Sequence, residues 1–306
     1  FTHLTAHSAY SLQEGLATPA ELAQAAKAQE MPALGLTDHR LLTGVVEFVH
    51  ACKVAEIQPL LGLEIDTTTG RLPLLATSQE GWANLCRVSS ALALQEDPQA
   101  PCSLDLLASF SNDLVAIGSA DGKKAAKQFE MLKDIFGNRL YLNLQDPSVG
   151  LPLSRFARSM GVQMVVTQPI YYLKPEEAAL QRTLAAIRLN QPITGIAEED
   201  LAPAGAYFLS QGEMLRRFHG FQAALKQTQE IAKRCTFDLP LGVPNMPQIP
   251  IPGGLTPSQH LRQKAEAGAK RRYGKITPEI QARLDHELEP IATMGYEPIF
   301  LIVEDV

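Results

Sequence analysis

The chain has few cysteines and no long apolar run. Its 306 residues include four cysteines, Cys52, Cys86, Cys102 and Cys235, and no CxxC pair. This spacing excludes a disulfide-dense secreted scaffold and predicts four reduced thiols. No stretch of about 18 apolar residues occurs, so we expect no membrane span and no membrane partner. The first residues lack the basic and apolar regions of a secretory signal, which makes the cytoplasm the expected location.

Gly-rich phosphate loops and internal repeats are also missing. Neither the P-loop pattern nor the dinucleotide-binding pattern occurs, and this excludes two common routes to nucleotide binding. The chain has seven histidines, but none lies between His50 and His219. Its net charge of -6 argues against a protein that coats nucleic acid over its whole surface.

Apolar runs rich in β-forming residues alternate with helical patterns up to about Leu173. Seven strands are predicted, over residues 3–6, 33–37, 59–65, 72–76, 114–118, 140–145 and 164–167. This alternation is typical of βαβ units around a parallel sheet, and seven strands favour an α/β barrel over an open sheet. Capping signals mark the helix starts, as in Thr18-Pro-Ala-Glu21, and Gly137 ends a helix predicted over 123–136.

The pattern after Lys174 contains helices only. Segments 175–189, 212–218 and 221–235 are amphipathic, whereas 239–255 holds five prolines and predicts an extended linker. We therefore predict a barrel core over 1–175, a helical extension packed on it over 176–238, a Pro-rich linker over 239–255 and a helical region over 256–306. Because the chain starts at Phe1 and stops in the apolar run 300–306, we expect it to be a piece of a longer protein.

Side chains that can bind metal follow three of the predicted strands. His7 follows the first strand, Asp38 and His39 follow the second, and Glu64 lies in the third. Because the carboxyl ends of barrel strands meet at one mouth, we expect these side chains to converge. Hydrolytic centres use several imidazole and carboxylate ligands for each ion. Ligands from only three strands predict a present or ancestral site with no tightly bound metal, or at most one weakly bound Zn, Mn or Mg ion.

Basic residues are concentrated between positions 254 and 286. This segment has seven basic and three acidic residues. The basic residues are Arg262, Lys264, Lys270, Arg271, Arg272, Lys275 and Arg283. Clustered Arg and Lys are what phosphate binding requires, so these are candidate DNA contacts. A solvated helix face with mixed charges is the simpler interpretation, and both stay open.

Motifs along the whole chain resemble one protein family. The stretch FTHLTAHSAYSLQEG at 1–15 is followed by MPALGLTDH at 31–39 and PLLGLE at 59–64. Further landmarks are EGWANLCR at 80–87, IAKRC at 231–235, RRYG at 271–274 and MGYEPIFLIV at 294–303. In this order they resemble the bacterial DNA polymerase III alpha family, starting with its PHP (polymerase and histidinol phosphatase) domain. The resemblance implies a PHP-type distorted (β/α)7 barrel followed by the helical start of the polymerase palm and thumb region.

The resemblance also implies which PHP ligands remain. His7, Asp38, His39 and Glu64 match ligand positions of the family. Five other ligand positions carry residues that cannot replace imidazole or an anionic ligand in a polynuclear centre. They are Thr5, Ser119, Pro147, Pro169 and Tyr171. The implied PHP domain is therefore degenerate: it keeps the fold and lacks hydrolysis. The Mg-binding polymerase aspartates of the family have no match here, so this segment is not expected to polymerise DNA.

The implied function is that of the N-terminal part of a nucleotidyltransferase in DNA replication. Its PHP domain would act as a scaffold and as a docking platform for a separate proofreading exonuclease subunit. Other replicase subunits and primer-template DNA are implied partners of the whole polymerase. Two alternatives stay open. One is an active metal-dependent PHP phosphoesterase or 3′–5′ exonuclease that uses the four matched ligands, and the other is a free-standing replication adaptor.

Overall fold

A computed structural model describes residues 1–242 and 247–305 of the chain. Seven strands form one sheet in the order β1 to β7. The strands are β1 His3–Ala6, β2 Ala33–Leu36, β3 Gln58–Thr67, β4 Gly70–Ala76, β5 Leu114–Gly118, β6 Leu140–Leu144 and β7 Gln163–Val166. Each predicted strand is confirmed to within two residues at either end.

Helices flank the strands and are the main elements after β7. The helices of the first 239 residues are α1 Pro19–Ala28, α2 Val45–Ala55, α3 Gln79–Ala93, α4 Leu104–Ser109, α5 Gly122–Phe136, α6 Gly150–Met160, α7 Ala178–Leu189, α8 Gln211–Arg217 and α9 Gln222–Arg234. Those that follow are α10 Pro257–Tyr273, α11 Pro278–Met294 and α12 Glu297–Asp305. The capping signals act as expected at α1, where the Thr18 hydroxyl accepts from the Glu21 amide and the Glu21 carboxylate accepts from the Thr18 amide.

The sheet closes on itself at the carboxyl end of β1. Ala6 and Ile170 form a parallel bridge, and the His7 amide donates to the Ile170 carbonyl at 2.8 Å. This contact brings the end of the first strand beside the segment that follows the last one. The residues after β1, β2 and β7 therefore surround one mouth, together with the carboxyl end of β3.

Strand β4 departs from the predicted parallel sheet. It runs antiparallel to both β3 and β5, whereas the other four pairs are parallel. Thr68 and Thr69 alone separate β3 from β4, and a two-residue connection allows a hairpin but not a parallel crossover. The expectation of a uniformly parallel sheet was wrong at this strand. Because β4 is reversed, its first residues lie at the mouth, with Arg71 opposite Asp66.

Apolar side chains from the strands and from α9 fill the barrel core. One buried cluster joins Leu4, Leu60, Val115 and Val165 to Ile231 near the end of α9. The amide of Gln58 fastens the same helix end by donating to the carbonyls of residues 232 and 235 at 2.9 Å each. Burial of this apolar surface is the main favourable contribution to folding, and it supports a rigid mouth.

The chain divides into two compact units, Phe1–Leu239 and Pro240–Val306. The first contains the sheet with α1 to α9, and the second contains α10 to α12. The predicted linker over 239–255 begins at this division, and its residues 243–246 lie outside the described residues, as does position 306. The finer boundaries at 175 and 255 stay predictions. All four cysteines are free. In the part of the chain that the structure describes, no helix has the length and apolarity to cross a membrane.

Candidate metal centre at the barrel mouth

His7 and Glu64 come together at the mouth. His7 directly follows β1, and its Nε2 lies 2.9 Å from Oε2 of Glu64 in β3. Both side chains are buried. The ring of Tyr171, in the segment after β7, stacks on the imidazole with the ring centres 4.2 Å apart. His7 is thus held between a carboxylate and an aromatic face.

Asp38 has a different set of partners. Its carboxylate accepts hydrogen bonds from the Ser8 amide at 2.6 Å, the Ser8 hydroxyl at 2.8 Å and the Ser11 hydroxyl at 2.7 Å. Both carboxylate oxygens are therefore engaged by the turn that follows β1. These contacts hold the turn after β1 against the end of β2.

His39 uses both ring nitrogens within the protein. Its Nδ1 lies 3.0 Å from Glu14 Oε1, and its Nε2 lies 2.8 Å from Asp66 Oδ2. Burial lowers the pKa of His39, but the hydrogen bonds to Asp66 and Glu14 outweigh this effect and raise the pKa to about 9. The resulting imidazolium donates from both nitrogens and has no free lone pair for a metal.

Arg71, near the start of β4, places a permanent positive charge in the centre of the mouth. Its guanidinium donates to the two carboxylate oxygens of Glu14 at 2.6 and 3.0 Å and to Glu64 at 3.1 Å. The nitrogen that reaches Glu64, Nη1, also lies 2.8 Å from the Tyr171 hydroxyl, which accepts from it. One cationic group therefore joins three elements of the barrel by charge-assisted hydrogen bonds.

Two further arginines complete the ion network. Arg188 of α7 lies 2.7 Å from Glu14 Oε1, and Arg40 donates to Asp66 at 3.0 Å. The three carboxylates of the network, Glu14, Glu64 and Asp66, therefore face three guanidinium groups as well as the imidazolium described above. The network carries no excess negative charge that would attract a divalent cation.

The two buried carboxylates stay ionised. Burial raises the pKa of Glu14, but the hydrogen bonds from His39 and Arg71 outweigh it and hold the pKa well below its ordinary value. Burial opposes ionisation of Glu64 too, and the charges of His7 and Arg71 lower the pKa of that carboxyl. Burial raises the pKa of Tyr171 well above its ordinary value, so the phenol is neutral and accepts from the arginine.

These side chains do not fit a hydrolytic metal centre. Within residues 1–242 and 247–305, no group of three or more His, Cys, Asp or Glu side chains is arranged to hold a metal ion. The four matched positions fall into separate sets: His7 with Glu64, His39 with two other carboxylates, and Asp38 with two serines. Metal binding needs deprotonated ligands with free lone pairs. Here protein partners already engage Asp38, Glu64, both nitrogens of His39 and Nε2 of His7, whereas the buried Nδ1 of His7 has no hydrogen-bond partner among the described residues.

Five positions at which the family resemblance implies a missing metal ligand are scattered around the mouth. Thr5 is buried in β1 and donates to a backbone carbonyl at 3.2 Å. Ser119 follows β5 and donates to a carboxylate two residues on at 3.4 Å. Pro147 begins a 3-10 turn after β6, and Pro169 follows β7. Of the five, Tyr171 is the one that contacts the ion network.

Sequence reasoning missed five residues of the network, the first being Arg40, which directly follows His39. Asp66 lies two residues after Glu64, so strand alternation places both side chains on one face of β3. Arg71 follows the connection from β3 to β4, which is too short for a parallel crossover, and the hairpin places it opposite Asp66. Glu14 lies in the same motif as His7. Arg188 lies in α7, far from Glu14 in the sequence, and no local motif predicts their contact.

A cavity of about 730 Å³ opens above the network. Arg71, Tyr171 and His39 line its floor, and Arg188 and Gln181 of α7 form part of its wall. Solvent and small ions can therefore reach the network from this side. The cavity lies wholly within the first unit.

The basic residues of the second unit differ in their partners. Arg262 lies 2.6 Å from Asp285, Lys264 pairs with Glu304, and Arg283 pairs with a glutamate one turn further along α11. Lys270, Arg271 and Arg272 lie together in the last turn of α10, and Lys275 follows that helix. The cluster 270–272 is thus the densest positive charge of this unit.

Comparisons with known proteins find similarity to two family models and to solved structures. Residues 3–147 match the family model of the PHP domain, and residues 259–306 match that of the bacterial DNA polymerase III alpha NTPase domain. An amidohydrolase structure from Chromobacterium violaceum matches 56% of this chain and 87% of its own, with a TM-score of 0.43 and 15% identity.

Curated relatives match from one end of the chain to the other. The error-prone DNA polymerase of Symbiobacterium thermophilum is 31% identical over 100% of this chain and 32% of its own length. The DNA polymerase III subunit alpha of Bacillus subtilis is 29% identical over 100% of this chain and 29% of its own length. The chain thus spans about a third of the length of these relatives. It belongs to the family of bacterial DNA polymerase III alpha subunits and error-prone DNA polymerases, and it carries a PHP domain at residues 3–147.

Proposed function

We propose that this chain is the N-terminal part of a DNA-directed DNA polymerase and that its PHP domain is a structural scaffold without hydrolytic activity. The observation that carries the proposal is the engagement of His7, Asp38, His39 and Glu64 by protein partners. A hydrolytic PHP centre would need these groups to hold a metal ion and its activated water. The carboxylates of Asp38 and Glu64, the ring nitrogens of His39 and Nε2 of His7 engage protein groups instead.

The ion network is suited to a stabilising role. Glu14 and Glu64 are nearly fully buried. Glu14 accepts from Arg71 and His39, and Glu64 accepts from Arg71 and lies 2.9 Å from His7 Nε2. Removing one partner of a buried ion pair typically costs about 3–5 kcal/mol, because the remaining charge stays buried without compensation. The network therefore stabilises the closed mouth, where the segments after β1 and β7 meet.

We further propose that the mouth docks a separate proofreading exonuclease subunit, as the family resemblance implies. A second cavity, of about 350 Å³, lies beside the network and is lined by Leu12, Leu41, Ala93 and Pro98 among others. Leu12 lies on the turn after β1 and is 66% exposed. Polar residues, including four members of the ion network, form the rest of the lining, and an exposed apolar side chain at the rim of such a groove has the character of a protein-binding anchor.

Primer-template DNA is the partner that we propose for the basic cluster 270–272. Three adjacent cations can neutralise phosphates and release counterions. Cations in the last turn of a helix also stabilise the helix through its dipole, so the DNA role needs its own test.

The scaffold proposal predicts no tightly bound metal and no hydrolysis. The purified chain is expected to retain less than one zinc or manganese ion per molecule by elemental analysis. It should cleave bis(p-nitrophenyl) phosphate in Mn²⁺ or Zn²⁺ no faster than the His7→Ala variant does. Two or more tightly bound ions, with an activity that His7→Ala abolishes, would instead establish the phosphoesterase alternative.

The docking proposal predicts that Leu12→Asp weakens binding of the cognate exonuclease subunit at least tenfold, which corresponds to about 1.4 kcal/mol. Surface plasmon resonance with the immobilised chain measures this affinity. Val54→Asp, which adds the same charge at an exposed valine of α2, is the matched control and should bind like the parent chain. Equal affinities for all three proteins would exclude this surface.

The DNA proposal predicts a change in salt dependence. Replacing Lys270, Arg271 and Arg272 by Gln should weaken binding to primed DNA and reduce the slope of log K against log salt by up to about 3, at roughly 0.9 per phosphate contact. Fluorescence anisotropy over a salt series gives both quantities. Arg283→Gln removes a guanidinium that is already paired and should change the slope less. An unchanged slope in the triple variant would assign the cluster to helix stability alone.

The raised pKa of His39 predicts a loss of stability in mild alkali. A group with a folded-state pKa of about 9 and an ordinary pKa of 6.5 contributes fully below pH 6.5, and this contribution disappears as pH rises through 9. The free energy of unfolding in urea should therefore fall by up to about 3 kcal/mol between pH 6 and pH 9. His39→Gln should flatten this decline, whereas His219→Gln at an exposed position should not. Equal declines in all three proteins would contradict the assignment.

A further inference from the structure

Two arginines lie at the amino end of the barrel, opposite the mouth, and among the described residues no carboxylate pairs with either. Arg139 directly precedes β6, and Arg234 ends α9. We propose that these two side chains, with Lys133 beside them, bind the phosphodiester backbone of a DNA strand. The site belongs to the first unit, so it is separate from the cluster 270–272 of the second unit.

Arg139 is half-buried, and only one of its nitrogens is used within the protein. Its Nη1 donates to the carbonyl oxygens of Ser111 and Leu114, the latter at 2.9 Å, and the guanidinium lies 5.8 Å from the centre of the Phe136 ring. These contacts hold the side chain in place, but the acceptors are neutral and leave its charge uncompensated. Among the described residues, Nε and Nη2 have no partner. They are the kind of fork that binds phosphate oxygens.

Arg234 contributes the second charge from the end of α9. It is exposed, and its Nη1 donates to the Tyr141 hydroxyl at 2.7 Å, which is again a neutral acceptor. Tyr141 is buried in the barrel core as part of β6. The bond therefore fixes an exposed arginine of the helix to the strand that Arg139 precedes.

The two guanidinium groups repel each other. Burial lowers the pKa of Arg139, the charge of Asp113 opposes this effect, and the positive charge of Arg234 lowers the pKa further. The Asp113 carboxylate accepts from the Ser78 hydroxyl at 2.7 Å and forms no ion pair with either arginine in the part of the chain that the structure describes. An anion bound between the two arginines would remove their repulsion.

Lys133 adds a third cation in the last turn of α5. Its Nζ donates to the Gly137 carbonyl at 3.1 Å, two residues before Arg139. Glu130 and Asp134 lie on the same helix, and within residues 1–242 and 247–305 neither pairs with Lys133. All three cations therefore donate to neutral oxygens.

A phosphodiester suits this arrangement of cations. Guanidinium groups bind phosphate oxygens through charge-assisted hydrogen bonds, and each neutralised phosphate releases counterions. The helix dipole accounts for a cation in the last turn of α5 or α9, but it does not account for Arg139, which precedes a strand. Guanidinium groups bind carboxylates as well, and the membership of this chain in a DNA polymerase family favours the phosphate.

The test uses the whole chain with Lys270, Arg271 and Arg272 replaced by Gln, so that the result does not depend on that cluster. Fluorescence anisotropy over a salt series gives the affinity for a labelled single strand and for the matching duplex. This background protein should still bind at least one of the two. Arg234→Gln should weaken that binding about fivefold and reduce the slope of log K against log salt by about 0.7 for the single strand or about 0.9 for the duplex. Adding Lys133→Gln should reduce both quantities again.

Two control variants separate the charge of Arg234 from its structural role. Tyr141→Phe removes the hydroxyl that Arg234 binds but keeps the guanidinium, so it should bind DNA like the background protein. Lys233→Gln removes the neighbouring cation, which Glu230 already pairs with at 2.9 Å, and it should change the slope less. A thermal unfolding curve for each variant establishes that it is folded.

The inference is wrong if the background protein binds neither form of DNA, or if Arg234→Gln leaves the slope unchanged. It is also wrong if Tyr141→Phe or Lys233→Gln loses as much affinity as Arg234→Gln does. Competition tests the other class of anion. If poly-glutamate displaces the labelled DNA as effectively as unlabelled DNA does, the site binds a carboxylate-bearing peptide, and the assignment to DNA is overturned.

Discussion

The ion pairs from Arg71 to Glu14 and Glu64 determine what the barrel mouth can be. Both carboxylates are buried, and a buried anion without a partner is unfavourable by several kcal/mol. The carboxylates Asp66 and Glu14 hold the imidazole of His39 protonated against the opposing charge of Arg71, and two further arginines pair with the same carboxylates. The mouth is therefore an electrostatically closed structure. The chemistry of the mouth therefore depends on the permanent positive charge of Arg71.

Much of the fold was accessible from the sequence because its signals are local. Strand positions follow from short apolar runs, and helix starts follow from residues such as Thr18 and Thr256, whose hydroxyls accept from backbone amides in the first turn. The one topological error, at β4, came from treating every strand as part of a βαβ unit. The turn of Thr68 and Thr69 is too short for the crossover of a βαβ unit. Its length alone therefore indicates an antiparallel hairpin between β3 and β4.

The candidate site was less accessible, because a ligand-like residue does not reveal its partners. The pattern of His7, Asp38, His39 and Glu64 indicates a family, and the structure shows that the four belong to three separate hydrogen-bonded sets. A further cation of the network is Arg188, 174 residues from Glu14 in the chain but 2.7 Å away in space. Long-range pairs of this kind depend on the packing of a whole helix, which no local motif specifies.

The contacts between the barrel and the helical extension determine which segment of this protein can be exchanged in a gene fusion. Arg188 contacts Glu14, the Tyr171 amide donates to the Ala206 carbonyl, and the ring of His3 donates to the Leu209 carbonyl. Each of these contacts joins the first barrel residues or the mouth to chain beyond position 175. A gene fusion that cut at the end of the seventh strand would leave ionised and polar groups of the barrel without partners. The smallest piece that can be exchanged between polymerases as an intact module therefore extends to Leu239.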